Sequence, residues 1–226
     1  MNTLLNLFET NRECPINTEI HEKHLAKFVG QSPGVIEIGV GRGGALETSK
    51  GYFGEGTRMI GFETAAGTTA VEEPLIEIVN CDQACLADLP RLVGVSGPPH
   101  VIIDDGGHFA HQFQISCEVL IPNLRDGRVY LVEDVHTCYW KEFEGGFLKH
   151  GTFIERTKEL TDDLHGWHQR ADGRGMTMYS QTLKCLSRYD SNVVVDKSTR
   201  RGPVQRLRVS IDKLIDGWFM PKLWKT

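Results

Sequence analysis

The chain has 226 residues, enough for one well-buried core, and no composition break marks a second unit, so a single domain over 1–226 is expected. Its 30 acidic residues exceed its 25 basic ones for a net charge of −5, a balance that excludes the basic surface which nucleic acid or an anionic membrane selects. With no sustained apolar run at the N-terminus or elsewhere, the expectation is a cytoplasmic protein acting on a small polyhydroxylated molecule, with homo-oligomerisation left open.

In chain order, residues 18–29 read as an amphipathic helix able to cover one edge of a site. Apolar runs at 35–40, 58–62, 75–79, 101–104 and 129–132 predict strands, and 45–53 and 109–124 predict helices between them. That alternation is the pattern of a parallel sheet covered on both faces. Residues 142–160 read as a further helix, and 161–175, polar and rich in Gly, His and Asp, read as a lid. Residues 183–196 read as two short strands around the turn Tyr189-Asp190-Ser191-Asn192, which would finish the sheet antiparallel. The fold class is therefore α/β.

The six cysteines, Cys14, Cys81, Cys85, Cys117, Cys138 and Cys185, form no C-x-x-C pair and read as free thiols in a reducing compartment. Cys81 and Cys85 lack the second close pair that a thiolate metal site needs.

The first strand runs into Glu37-Ile38-Gly39-Val40-Gly41-Arg42-Gly43-Gly44, where Gly39, Gly41 and Gly43 permit a tight turn and close approach to a nucleotide-type cofactor. A glycine turn alone is weak evidence, but this one lies between strand and helix, and Glu63 follows at the end of the next strand, where a carboxylate can accept ribose hydroxyls. Glu37 would repel a pyrophosphate but suits a sulfonium and its ammonium, which favours S-adenosylmethionine over a dinucleotide. Asp82 and Gln83 end the third strand on the cofactor side; Asp82 reads equally as an adenine contact or a helix cap.

The fourth and fifth strands end in Asp104-Asp105-Gly106-Gly107-His108 and Glu133-Asp134-Val135-His136, at the ligand-binding edge of such a sheet. Asp104 is assigned to the cofactor side. Carboxylates converging there repel one another unless a cation sits between them, and oxygen donors favour Mg2+, Mn2+ or Ca2+. His108, three residues beyond Asp105, is the candidate general base. His21, His24, His111, His165 and His168 read as surface or lid residues; His21-Glu22-Lys23-His24 falls one residue short of the zinc-protease spacing.

On these motifs the chain resembles the magnesium-dependent sugar O-methyltransferases of macrolide biosynthesis, with the cephalosporin-biosynthesis methyltransferase-like proteins more distant. The resemblance runs from Thr18 to Lys197 and includes Glu133-Asp134-Val135-His136-Thr137-Cys138-Tyr139-Trp140 and Tyr189-Asp190-Ser191. It implies a class I methyltransferase fold, Rossmann-like, with a mostly parallel seven-stranded sheet and helices on both faces. It further implies Asp105, Glu133 and Asp134 as metal ligands, His108 as base, Glu37, Glu63 and Asp82 as cofactor contacts, and His136, Tyr139 and Trp140 on the substrate side. Cys81 stands where glycine is common, Cys138 where serine is and Glu63 where aspartate is, and none of these removes a catalytic group. The large N-terminal auxiliary domain of the macrolide enzymes lies outside the resemblance, so its contribution is not carried over. The expected reaction is methyl transfer from S-adenosylmethionine to a hydroxyl of a sugar or glycosylated natural product. A catechol-like phenol is the alternative acceptor, and a catalytically silent S-adenosylmethionine-binding interaction protein is the alternative class.

Overall fold

The computed structural model describes residues 18–64, 74–170, 173 and 175–203; Cys14 and part of the expected lid fall outside them. Helix α1 spans Thr18–Leu25 and runs into a 3-10 turn at Ala26–Phe28. Strand β1 (Gly34–Ile38), α2 (Gly44–Phe53), β2 (Arg58–Glu63), β3 (Ile76–Asn80), α3 (Asp88–Ser96), β4 (Val101–Asp104), α4 (Ala110–Asn123) and β5 (Val129–Val132) follow. After 3-10 turns at Val135–Tyr139 and Lys141–Phe143 come α5 (Phe153–Leu164), α6 (Met178–Thr182), β6 (Leu183–Arg188) and β7 (Val193–Lys197). The seven strands form one sheet in the order β3-β2-β1-β4-β5-β7-β6, with β7 antiparallel to both neighbours and the other pairings parallel. This is the class I methyltransferase arrangement.

Period-two alternation divides the core. Ile36, Ile38, Ile60, Phe62, Ile102, Tyr130 and Val132 pack with α3, α4 and α5 on one face. Val35, Met59, Val101, Ile103, Val129 and Leu131 pack with Leu25, Phe28, Leu46 and Phe53 on the other. α1 follows from its own spacing: Thr18, His21, His24 and Leu25 are the buried residues of the helix and fall on its inner stripe.

One expectation needs correction. The helix read over 142–160 begins only at Phe153, where the Thr152 hydroxyl accepts the Glu155 N–H; before it, Gly145, Gly146 and Gly151 keep the chain irregular. The lid read over 161–175 starts inside α5 and continues as a 3-10 turn at Gly166–His168. Arg200 donates to the Leu164 carbonyl at 2.7 Å, Gly166 lies against Ser180, and none of the segment's described residues lines the cavity described below.

Candidate active site

The parallel ladder runs one residue past the strands, which brings their tips level. Gly39 N–H donates to the Phe62 carbonyl (2.9 Å), Asp105 N–H to Ile38 (2.9 Å), Glu133 N–H to Asp104 (2.9 Å) and Cys81 N–H to Glu63 (3.1 Å). Gly39 has φ +86°, and a Cβ on it would stand 2.1 Å from the Asp105 carbonyl oxygen, so this contact between the β1 and β4 loops excludes any side chain. A cavity of about 340 Å3 opens at this edge, lined by Gly39, Gly41, Phe62, Glu63, Gln83 and Asp105 among others. Gly41 N–H donates to Glu63 Oε2 at 3.0 Å, which ties the glycine turn to the end of β2. Gly43, at φ +90°, caps α2.

Glu37 is buried at the tip of β1, on the face of Val35. Asp82 is exposed and does not line the cavity; its Oδ1 accepts the Ala84 N–H at 2.8 Å within a turn, and the next helix begins only at Asp88, so it is not the helix cap weighed above.

The structure moves Asp104 away from the cofactor side. It shares strand parity with Ile102 and therefore points at α4, fully buried. Its Oδ1 accepts from Gln83 Nε2 (2.7 Å) and its Oδ2 from the Tyr130 hydroxyl (2.5 Å). Burial lifts its pKa to about 6, against the opposing hydrogen bonds from Tyr130, Gln83, Gly106 and Ser116. Gln83 links this network to the cavity: Nε2 also donates to Ser116 Oγ (3.0 Å), while Oε1 accepts the Gly107 N–H (3.2 Å). Asp104 thus acts on the cavity through Gln83.

Asp105 and Glu133 lie one residue beyond the strands. Asp105, His108 and Asp134 place one ligand atom each within 4.8 Å of the others, the one such cluster among the described residues; Glu133, expected as the third ligand, is not in it and bonds His21, whereas His108, expected as the base, is. His108 Nε2 is 4.0 Å from Asp105 Oδ1 and 3.8 Å from Asp134 Oδ2. His108 and Asp134 both have left-handed backbones, φ +60° and +51°, a conformation that Asp and His adopt more readily than most non-glycine residues but still at some cost. The Thr137 hydroxyl enforces it from one side, bonding to the carbonyls of both His108 (3.0 Å) and Asp134 (2.8 Å).

Asp105 is pushed up to about 8, first by desolvation in the cleft, then by the Glu133, Asp134 and Asp104 carboxylates, with His21 opposing. Its side chain keeps 44% of its surface in solvent, so like-charge crowding is the part that a bound cation would relieve. The donor set is oxygen-rich and suits a hard divalent ion. Protons and cation compete for Asp105, so divalent-metal affinity is expected to climb between pH 6 and about 8 and then flatten; calorimetry at three pH values would test this, and a flat response would count against it. Without a cation, the raised pKa makes folding stability fall as pH rises from the ordinary carboxylate range through 8.

Burial lowers the pKa of His108, against the pull of Asp134, and favours the neutral ring. Its Nδ1 is buried with no hydrogen-bond partner, so Nε2 is the nitrogen that faces the carboxylates. Phe113 and Phe143 flank the ring. Next to the cluster, His136 shares a 2.5 Å hydrogen bond with Ser191 Oγ and stacks edge-on against Trp140, while Tyr139 and Trp140 are half exposed.

Two side chains read as surface histidines are buried instead. His21 Nε2 donates to Glu133 Oε1 at 2.8 Å, and His24 pairs with the Tyr189 hydroxyl at 2.8 Å. Their three-residue spacing on an amphipathic helix was the available signal, since it puts both on one face. Ser191 was quoted only as part of a motif; its hydroxyl reaches Asp134 Oδ1 at 3.4 Å. The remaining predicted surface residue near the site, His111, pairs with Glu144 at 2.7 Å.

The 8-demethyl-8-alpha-L-rhamnosyl tetracenomycin-C 2'-O-methyltransferase of Streptomyces olivaceus is 32% identical over 203 residues, which cover 84% of this chain and 53% of that protein. Mycinamicin VI 2''-O-methyltransferase of Micromonospora griseorubida is 32% identical over 135 residues, 57% of this chain and 33% of that one. Among solved structures, the MycE methyltransferase from the mycinamycin biosynthetic pathway, in complex with Mg and SAH, matches with a TM-score of 0.84 at 25% identity, over 96% of this chain and 60% of that one. The chain spans about half the length, or less, of the curated relatives it matches. No protein-family model matches it.

Proposed function

Because the chain belongs to the macrolide sugar O-methyltransferase family on a class I methyltransferase fold, we propose that it methylates a hydroxyl of a glycosylated small molecule, using S-adenosylmethionine and a divalent metal, magnesium first. What supports this reading most is one shared residue: Asp105 both lines the glycine-turn cavity and belongs to the acid–histidine cluster. A methyl donor in the first and a hydroxyl at the second would meet at that wall.

Glu37, Glu63 and the glycine turn would bind the cofactor, Asp82 would stand at its adenine end, and Asp105, Glu133 and Asp134 would hold the cation. S-adenosylmethionine supplies the methyl group, and magnesium supplies a Lewis acid that lowers the pKa of a substrate hydroxyl. His108 takes the hydroxyl proton at Nε2, the nitrogen that faces the acids, and its depressed pKa keeps that nitrogen available near neutral pH. Phe113 and Phe143 flank the ring and limit its rotation. His136, Tyr139 and Trp140 form the acceptor wall, where an aromatic face can pack against a sugar ring.

Calorimetry with S-adenosylhomocysteine and with NAD, followed by methyl transfer to a panel of glycosides and catechols, tests the proposal. Tight S-adenosylhomocysteine binding and glycoside turnover are expected. Preference for NAD would defeat the cofactor reading, catechol turnover alone would move the acceptor to phenols, and cofactor binding with no turnover on any acceptor would favour the silent binding protein.

A further inference from the structure

Resting on the metal reading above, we propose that His21 on α1 is a positioning residue of the metal centre, which holds Glu133 in place through one carboxylate oxygen and leaves the other for the cation. Glu133 follows Leu131 by two residues, so strand parity turns it to the face that α1 covers. There His21 Nε2 meets its Oε1 at 2.8 Å, with side chains only 7% and 17% exposed.

The helix that presents His21 is itself fixed. Leu25 and Phe28 are buried in the core of that face. One turn on, His24 pairs with the Tyr189 hydroxyl, and Lys27 reaches Asp196 at 3.1 Å. A glutamate has several rotatable bonds, and one buried hydrogen bond at the right oxygen removes most of that freedom before a ligand arrives. The second side chain next to it is treated alike: Ser191 takes Asp134 Oδ1, while Oδ2 faces His108. Each of the two adjacent acids therefore has one oxygen bonded from behind.

Loss of such an outer partner lowers metal affinity by about 10- to 100-fold. In the whole chain, His21→Ala is expected to weaken Mg2+ binding by that factor, read by calorimetry and by Mn2+ paramagnetic resonance, while S-adenosylhomocysteine affinity stays within about twofold. His21→Gln, which keeps an N–H donor, should recover part of the loss. His24→Gln cuts the tie between α1 and Tyr189 without touching Glu133 and should bind metal as the unmodified chain does. In a Glu133→Gln background, His21→Ala should add nothing further.

Unchanged Mg2+ affinity in His21→Ala overturns the proposal. So does an equal loss in His24→Gln, which would make helix docking the cause, or full additivity with Glu133→Gln. If the unmodified chain binds metal and Asp134→Ala abolishes it while His21→Ala is normal, only this inference fails. If the unmodified chain binds no divalent cation, the metal reading fails and takes the inference with it.

Discussion

Asp134→Ala is expected to abolish both divalent-metal binding and methyl transfer, with no recovery in mild alkali. Asp134 belongs to the one cluster of donor atoms found among the described residues, and its neighbour Asp105, raised by desolvation and then by nearby carboxylates, sits in crowded charge that a cation would relieve. Removing it takes away a ligand that neither Asp105 nor Glu133 can replace from its own strand tip. The backbone matters too, because φ at this position is +51°, which asparagine tolerates better than alanine. Asp134→Asn therefore serves as the control: it keeps the turn and the neutral oxygen while losing the charge. Metal titration of both variants beside a thermal melt separates ligand loss from unfolding. An Asp134→Ala protein that is folded, metal-bound and active would remove this residue from the centre.

His108→Ala should behave differently. Turnover is expected to fall by about a hundredfold or more, the usual scale for a lost general base, with metal and cofactor affinities nearly intact. Raising the pH should restore part of the rate, because solvent hydroxide can then take the proton. His108 Nε2 stands 3.8–4.0 Å from the two carboxylates, a spacing that two ligands of one ion also have, so the metal titration of this variant is what separates base from ligand. If the variant loses metal as completely as Asp134→Ala, the histidine is a ligand. If it retains full turnover, the proton leaves by another route.

Much of the scaffold was legible because its strands are short apolar runs ending in acids. β4 and β5 were read with the bounds observed, and the Asp105, His108 and Asp134 cluster follows from where those strands stop. Asp104 was misassigned for a reason that the sequence did contain. Counting by twos from Ile102 turns it toward α4. α3 was not read as a helix; Pro90, Gly94 and Gly97 in and after it mask its period. His21 was hidden by distance: its bond to Glu133 joins residues 112 apart, and only docking of α1 on the sheet creates it. No local pattern contains such a contact. The first residues of the expected lid belong to α5, because a helix with one solvent face is as polar as a loop.

The close approach of Gly39 to the Asp105 carbonyl has a thermodynamic consequence. The glycine turn and the first acid of the cluster are in backbone contact, so a shift of either loop by a few tenths of an ångström is felt by the other. On the proposed function, cofactor and cation would bind to one mechanical unit, and their affinities would be linked. By linkage, whatever factor the cation adds to cofactor affinity, the cofactor must return to the cation. Positive coupling would make the half-occupied form rare and negative coupling would favour it; titrating the cation with and without saturating S-adenosylhomocysteine gives the sign.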